Sequence, residues 1–257
     1  MRVGHKYVAD DRAGIDRDAD QYAATMGYRP GRHASPEDFL AAHDQRWVHE
    51  LHDALADLLD PQRTVLCIGS GEGEHEVLLH LDGYDVIATD VVPGVLDDAA
   101  RLFPGLKTMT LDAFGDEPVT CEDVLATGME FYFDDAELGR LLRAVRARLE
   151  PGGRFILVQR YRDTPATWVV DRVALPLVAA VRRRRGIQQR RKAHGYRRSV
   201  RDIAALAGLA GFRLGRVEYA AFGMEVERVS PVPEPIIRLD RRVHVLNSAT
   251  VLELLAA

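Results

Sequence analysis

Between Thr64 and Glu76 the chain reads TVLCIGSGEGEHE, an apolar run that breaks into glycines at every second position. Val65, Leu66, Cys67 and Ile68 are continuously apolar, too short for a helix, and end in turn residues, so they predict a strand buried on both faces, as in a parallel sheet. Gly69, Ser70, Gly71, Glu72 and Gly73 then predict a loop in which missing side chains permit positive φ and let a ligand lie against bare backbone. A helix over Glu74 to Leu81 would point its first N–H groups and positive dipole end at that ligand. A tight strand-to-helix turn with no ligand satisfies the same residues.

The spacing separates two ligand classes. A dinucleotide fingerprint, G-x-G-x-x-G, would place its third glycine where Glu74 stands. Here that glycine arrives one residue early, at Gly73. The resulting G-x-G-x-G resembles motif I of the class I S-adenosylmethionine-dependent methyltransferases. The resemblance implies that Ile68, Gly69, Ser70, Gly71 and Gly73 border an S-adenosyl-L-methionine cofactor.

The chain beyond Leu81 keeps the family's order. Asp85 to Thr89 predicts a second strand ending at Asp90, where a carboxylate can accept hydrogen bonds from both hydroxyls of a ribose. A helix N-cap is its plain alternative, and NAD-dependent enzymes place an acid there too. Val95 to Phe103 predicts a helix, and Leu106 to Leu111 a third strand leading into Asp112-Ala113-Phe114. This triplet resembles the family's adenine-binding acid and its apolar neighbour, with an Asx turn as the alternative. Asp123 to Thr127 predicts the fourth strand, with Gly128 to Phe133 leaving its carboxyl end. Asp135 to Leu149 predicts a helix. Leu149-Glu150-Pro151-Gly152-Gly153-Arg154 and the apolar run after it resemble the family's late motif, L-x-P-G-G-x-hydrophobic, ahead of a fifth strand. On this resemblance Val91, Asp112, Ala113, Phe114, Thr127 and Gly128 join the cofactor-binding set. The motifs span about residues 60 to 160.

Composition narrows the remaining choices. The 257 residues suit one domain with insertions. A hydrophobic fraction of 47% beside 28% charged residues is globular. No apolar run reaches the roughly 18 residues of a membrane span. The polar, acidic N-terminal stretch lacks a secretory h-region, so a cytoplasmic location is expected. Cys67 and Cys121 predict core thiols and no disulfide framework. A net charge of −5 with a pI near 6.0 argues against general nucleic-acid binding.

Residues 1 to 34 predict a cover over the site. Ser35-Pro36-Glu37-Asp38 opens a helix or helix pair running to Leu59, with Ser35 as N-cap and Pro36 at the first helical position. His43, His49 and His52 on this segment are expected at the surface, because their spacing lacks the i, i+4 step of a zinc helix, and no metal site is expected. Between the fifth strand and the next helix the family inserts a substrate lid. Here the matching stretch runs from apolar Trp168 to Val181 into Arg182, Arg183, Arg184, Arg185, Arg190, Arg191, Lys192, Arg197 and Arg198. A solvated basic face is the plain reading. An anionic or amphipathic acceptor, an acidic membrane surface or a nucleic acid would give the cluster a function, the last disfavoured because Tyr196 alone interleaves an aromatic. Ser199 caps a helix over Val200 to Ala210. A sixth strand runs from Gly211-Phe212 through Phe222, then a short helix within Pro231 to Asn247. Thr250 to Leu254 predicts a final antiparallel strand.

Two departures from the family pattern matter for the chemistry. Cys67 stands where many members carry an acid that helps hold the cofactor's amino group, which leaves that task to another group such as Glu72. Relatives in the quinone-biosynthesis branch often carry Glu-His after the fourth strand, whereas Glu130 here precedes Phe131 and Tyr132. Glu130, Tyr132, His194 and Tyr196 are therefore the catalytic candidates. Methyl transfer from a sulfonium depends mainly on positioning, and needs a base only when the nucleophile must lose a proton.

The expected fold is α/β: a doubly wound, mostly parallel, seven-stranded Rossmann-like sheet with an antiparallel last strand. Residues 1–60 form an N-terminal cap and helix, 61–160 the cofactor-binding core, 161–200 a helical lid, and 201–257 the rest of the sheet. The expected function is methyl transfer from S-adenosyl-L-methionine to an oxygen, nitrogen or carbon of a small-molecule acceptor, with no nucleic-acid partner and with homodimerisation open. The alternatives are an NAD-linked oxidoreductase and a non-catalytic, methyltransferase-like regulatory subunit.

Overall fold

Strand β1 (Thr64–Ile68) lies at the centre of the sheet because both its faces are apolar. Val65 and Cys67 pack to one side, Leu66 and Ile68 to the other, all four buried. The computed structural model describes residues 5–6, 31–112, 119–159, 196–222 and 247–257. The predicted lid stretch up to Gly195, with His194, and the predicted short helix within 231–247 fall outside these residues.

The segment ahead of β1 forms two helices, α1 (Pro36–His43) and α2 (Arg46–Ala56), separated at Asp44 and Gln45. Ser35 caps α1 as expected, its Oγ accepting from the Asp38 N–H at 3.2 Å. After β1 come α3 (Glu74–Leu81), β2 (Asp85–Asp90), α4 (Asp97–Leu102) and β3 (Lys107–Thr110). The chain continues with β4 (Cys121–Thr127), a 3-10 turn (Glu130–Tyr132), α5 (Asp135–Arg148) and β5 (Leu149–Gln159). The last elements are α6 (Val200–Leu209), β6 (Phe212–Phe222) and β7 (Asn247–Ala256).

Seven strands form one sheet in the order β3-β2-β1-β4-β5-β7-β6. The first five are parallel, and β7 runs antiparallel to both β5 and β6. The expected seven-stranded sheet with an antiparallel last strand is the one observed. Helices α2, α3 and α4 cover one face through Leu51, Leu55, Val77, Leu79 and Ala99. Helices α5 and α6 cover the other through Leu138, Leu141, Leu142, Ile203 and Ala207. Doubly wound sheets of this kind place ligands beyond the carboxyl ends of the strands, where the strand order reverses. In this chain that crevice lies between β1 and β4.

At the opposite, amino-terminal end of the strands, Asp123 is fully buried and accepts from Arg63 Nη1 at 3.0 Å and Arg154 Nε at 3.1 Å. Arg154 also reaches the Leu58 carbonyl at 2.9 Å and Glu253 at 3.2 Å. One ion cluster thus ties together the starts of β1, β4 and β5 and the far end of β7.

Both Cys67 and Cys121 are buried free thiols, as expected. Two histidine expectations are overturned. His49 is at the surface, paired with Asp44 at 2.8 Å. His52 is buried and its Nε2 contacts Asp82 Oδ2 at 2.8 Å, bridging α2 to the end of α3. His43 is turned inward, against Phe39 and the glycine loop. Among the described residues no helix is long and apolar enough to cross a membrane.

Candidate functional site

The glycine loop takes the conformation its sequence requires. Gly69, Gly71 and Gly73 all have positive φ, of 68°, 58° and 86°. A Cβ on Gly69 would meet Met129 Sδ at 3.2 Å, and one on Gly73 would meet Leu96 Cδ2 at 3.1 Å. Ser70 fastens this loop to β2: its N–H donates to the Thr89 carbonyl at 2.9 Å, and its Oγ accepts from the Thr89 N–H at 3.2 Å. Gly73 is the N-cap of α3, so the helix begins directly at the loop.

Asp90 closes the loop from the neighbouring strand. Its Oδ2 accepts from the Gly71 N–H at 2.9 Å and its Oδ1 from the Val92 N–H at 2.9 Å. Each oxygen keeps a further lone pair that could accept from a hydroxyl. Burial raises the pKa of Asp90, against the pull of the backbone N–H groups. Beside it Val91 is half exposed and offers an apolar surface. The Leu111 N–H donates to the Asp90 carbonyl, which brings the end of β3 and the exposed Asp112 to the same rim. Ala113 and Phe114 lie outside the described residues.

Glu76 was not singled out by the sequence. It is 3% exposed, and burial pushes its carboxyl up to about 7. It neighbours the Cys67 thiol, itself pushed far up by burial and by Glu76, and it also interacts with the Ser70 side chain. Glu72 instead accepts from Arg32 Nη1 at 2.8 and 2.9 Å and lies 3.6 Å from His43 Nε2. The carboxyl next to Cys67 is therefore Glu76, one helical turn past the loop.

At the end of β4, Thr127 has a buried Oγ with no hydrogen-bond partner, and the Gly128 N–H donates to the Val158 carbonyl at 3.0 Å. The chain then makes the 3-10 turn with Glu130 buried and Tyr132 partly exposed. Tyr132 stacks on Phe131 at 4.0 Å between centroids. The backbone of Tyr196 and Arg197, paired antiparallel with His5 and Lys6, runs beside this turn. Three of the four catalytic candidates, Glu130, Tyr132 and Tyr196, are thus gathered in one region.

Arg198 holds them there and departs from the expected basic surface. It is 1% exposed, donates to the Glu130 carbonyl at 3.1 Å and the Phe133 carbonyl at 2.8 Å, and pairs with Asp135 at 2.8 Å. Its guanidinium also lies 5.4 Å from the Tyr196 ring centroid. Gln159, at the end of β5, donates to the Arg198 carbonyl. This arginine is a buried structural cation, while residues 182–192 of the basic cluster lie outside the described residues.

Solved structures share this fold. Magnesium protoporphyrin IX methyltransferase from Synechocystis PCC 6803, solved with bound SAH, matches with a TM-score of 0.59 at 15% identity, over 95% of this chain and 97% of that one. The fold is that of the methyltransferases. A chain in the "complex between the Haloferax volcanii Trm112 methyltransferase activator and the putative methyltransferase" matches at 0.55 and 18% identity, over 96% of both chains. The mitomycin 7-O-methyltransferase MmcR matches at 0.55 and 20% identity, over 86% of this chain and 57% of that one. No protein-family model matches the sequence, and no curated protein does. Within the methyltransferase fold, the glycine loop, Asp90 and Thr127 occupy the carboxyl ends of β1, β2 and β4.

Proposed function

We propose that this chain is an S-adenosylmethionine-dependent methyltransferase acting on a small-molecule acceptor. The observation that carries the reading is the sign of the charge around the glycine loop. Glu72 and Glu74 lie in or directly after it, and Asp90 bonds to its backbone. A diphosphate laid against this loop would meet several carboxyls, whereas a nucleoside carrying a sulfonium and an ammonium would be attracted. The NAD-linked alternative is disfavoured on the same ground.

The residues present fit that cofactor. Asp90 has lone pairs for ribose hydroxyls, the glycines expose backbone, and the orphan Thr127 Oγ offers a polar contact. The cofactor supplies an activated methyl group with a good leaving group. This chain's task is to orient the acceptor and exclude water. Glu76 is placed to offset the carboxylate missing at Cys67. Glu130, Tyr132 and Tyr196 border the side from which an acceptor would enter, and a lid contributed by residues 161–200 would complete it. The acceptor is read as an oxygen, nitrogen or carbon nucleophile, with an anionic or amphipathic molecule matching the basic stretch.

Calorimetric titration with S-adenosylmethionine, S-adenosylhomocysteine and NAD tests this reading. Both sulfur nucleosides are expected to bind and NAD is not. Asp90→Asn keeps one acceptor for the loop and should weaken binding by about tenfold, or 1.4 kcal/mol. Binding of NAD alone, or of none of the three, would sink the proposal. Binding without turnover across an acceptor screen would favour the regulatory alternative.

A further inference from the structure

The acidic residues of the glycine loop also meet two histidines from the segment ahead of β1. His33, His43 and Glu72 each place one donor atom within 4.8 Å of the others. His33 is 4% exposed, and its buried Nε2 has no hydrogen-bond partner. His43 Nδ1 contacts the Phe39 carbonyl at 2.8 Å, which places a ring proton on Nδ1 and makes Nε2 the nitrogen left to ligate an ion. That Nε2 lies 3.6 Å from Glu72 Oε2 and 3.7 Å from Glu74 Oε2.

We propose that His33, His43 and Glu72, with Glu74 as a fourth donor, form a binding site for a divalent first-row transition metal of the zinc type. Two imidazoles and carboxylates are a donor set that such ions accept. A tetrahedral ion bound at roughly 2.0 to 2.1 Å from each donor sets donor–donor edges of about 3.3 Å. The His43 distances therefore need to contract by only a few tenths of an ångström.

The supports around the donors are built as well. A carbonyl fixing the non-ligating nitrogen of a histidine is the usual outer-shell arrangement at metal sites, and Phe39 supplies it here. The backbone of His33 is clamped to α4: its N–H donates to Asp98 Oδ2 at 3.0 Å, and its carbonyl accepts from Arg101 Nη2 at 2.6 Å. Phe39 packs against both imidazoles, with centroids 5.0 and 4.5 Å away, and the imidazole centroids are 5.6 Å from each other. The competing cation is Arg32, which pairs with Glu72 but is half exposed and free to swing into solvent. A bound ion would join α1 to the glycine loop without requiring the methyltransferase reading.

The test uses the full chain without a histidine tag, stripped of metal, titrated with Zn²⁺ by calorimetry and with Co²⁺ by absorption. About one equivalent of each should bind, and Co²⁺ should show ligand-field bands of a low-symmetry nitrogen–oxygen site. His33→Ala and His43→Ala should each weaken Zn²⁺ binding by at least about tenfold, with circular dichroism confirming that the variants remain folded. Arg32→Gln, which removes the competing cation and no ligand, should tighten it. Absence of binding, binding that survives the double histidine variant, or unchanged affinity in Arg32→Gln would each overturn the proposal. Because the readout is metal binding alone, these outcomes are independent of any cofactor result.

Discussion

Glu76 carries a carboxyl whose proton affinity is set by its surroundings, and this makes it a source of pH-dependent stability. Its folded pKa of about 7 lies above the ordinary 4.5, so the folded protein binds a proton that the unfolded chain has already lost. Its contribution to stability is therefore greatest below pH 4.5, falls as pH rises from there to 7, and is flat above. The full span is about 3 kcal/mol. Urea denaturation at pH 5 and pH 8 should show a stability difference in the wild type that shrinks in Glu76→Gln; an equal difference in both would remove this assignment. At this scale the sequence revealed what local spacing encodes. Gly69, Gly71, Gly73 and Asp90 were legible because each answers to a neighbour within one strand–loop–helix unit or at the next strand end. Glu76, His33 and His43 were not, because burial and cross-segment contacts give them their chemistry. His43 becomes a candidate ligand only when α1 folds against a loop about thirty residues further on.

The elements divide the sheet into a working end and a supporting end. Asp123 at the supporting end is fully buried and serves two arginines, so Asp123→Asn strands them beside a neutral amide. The expected cost is about 3 kcal/mol, at the lower end for broken buried pairs because Glu253 and the Leu58 carbonyl still hold Arg154. Asp85, half exposed and paired with Lys107, is the control: Asp85→Asn should cost less than about 1 kcal/mol. Urea midpoints of the two variants decide the matter, and equal values would refute the division. Most elements were readable from apolar period and caps, including the N-caps at Ser35 and Ser199. A helix pair was one of the two readings of this segment, but the position of the break between α1 and α2 was not legible. Apolar residues continue at helical spacing through Asp44 and Gln45 with no proline or glycine to mark it, and the turn is held instead by contacts such as Trp47 Nε1 donating to Gln45 Oε1 at 2.6 Å.

At the scale of the whole molecule, stability should grade outward from β1. The central strands β1, β4 and β5 are buried on both faces, while the edge strand β3 has four residues and is mostly open to solvent. Hydrogen exchange should be slowest at Val65–Ile68, Val124–Ala126 and Phe155–Val158, and faster by orders of magnitude along Lys107–Thr110. Uniform protection would contradict this gradient. The strand order could be expected from the resemblance, since no local signal specifies which strands become neighbours. The hydrogen bond from Gln159 to the Arg198 carbonyl has a different kind of consequence. It joins the two points where the chain leaves the sheet after β5 and returns before α6, so the two ends of the connection are pinned to each other within the core. A connection closed in this way adds entropy cost only logarithmically with length. Changing the number of residues between Gln159 and Tyr196 should therefore shift the urea midpoint little, because the bond that pins the two ends belongs to the core.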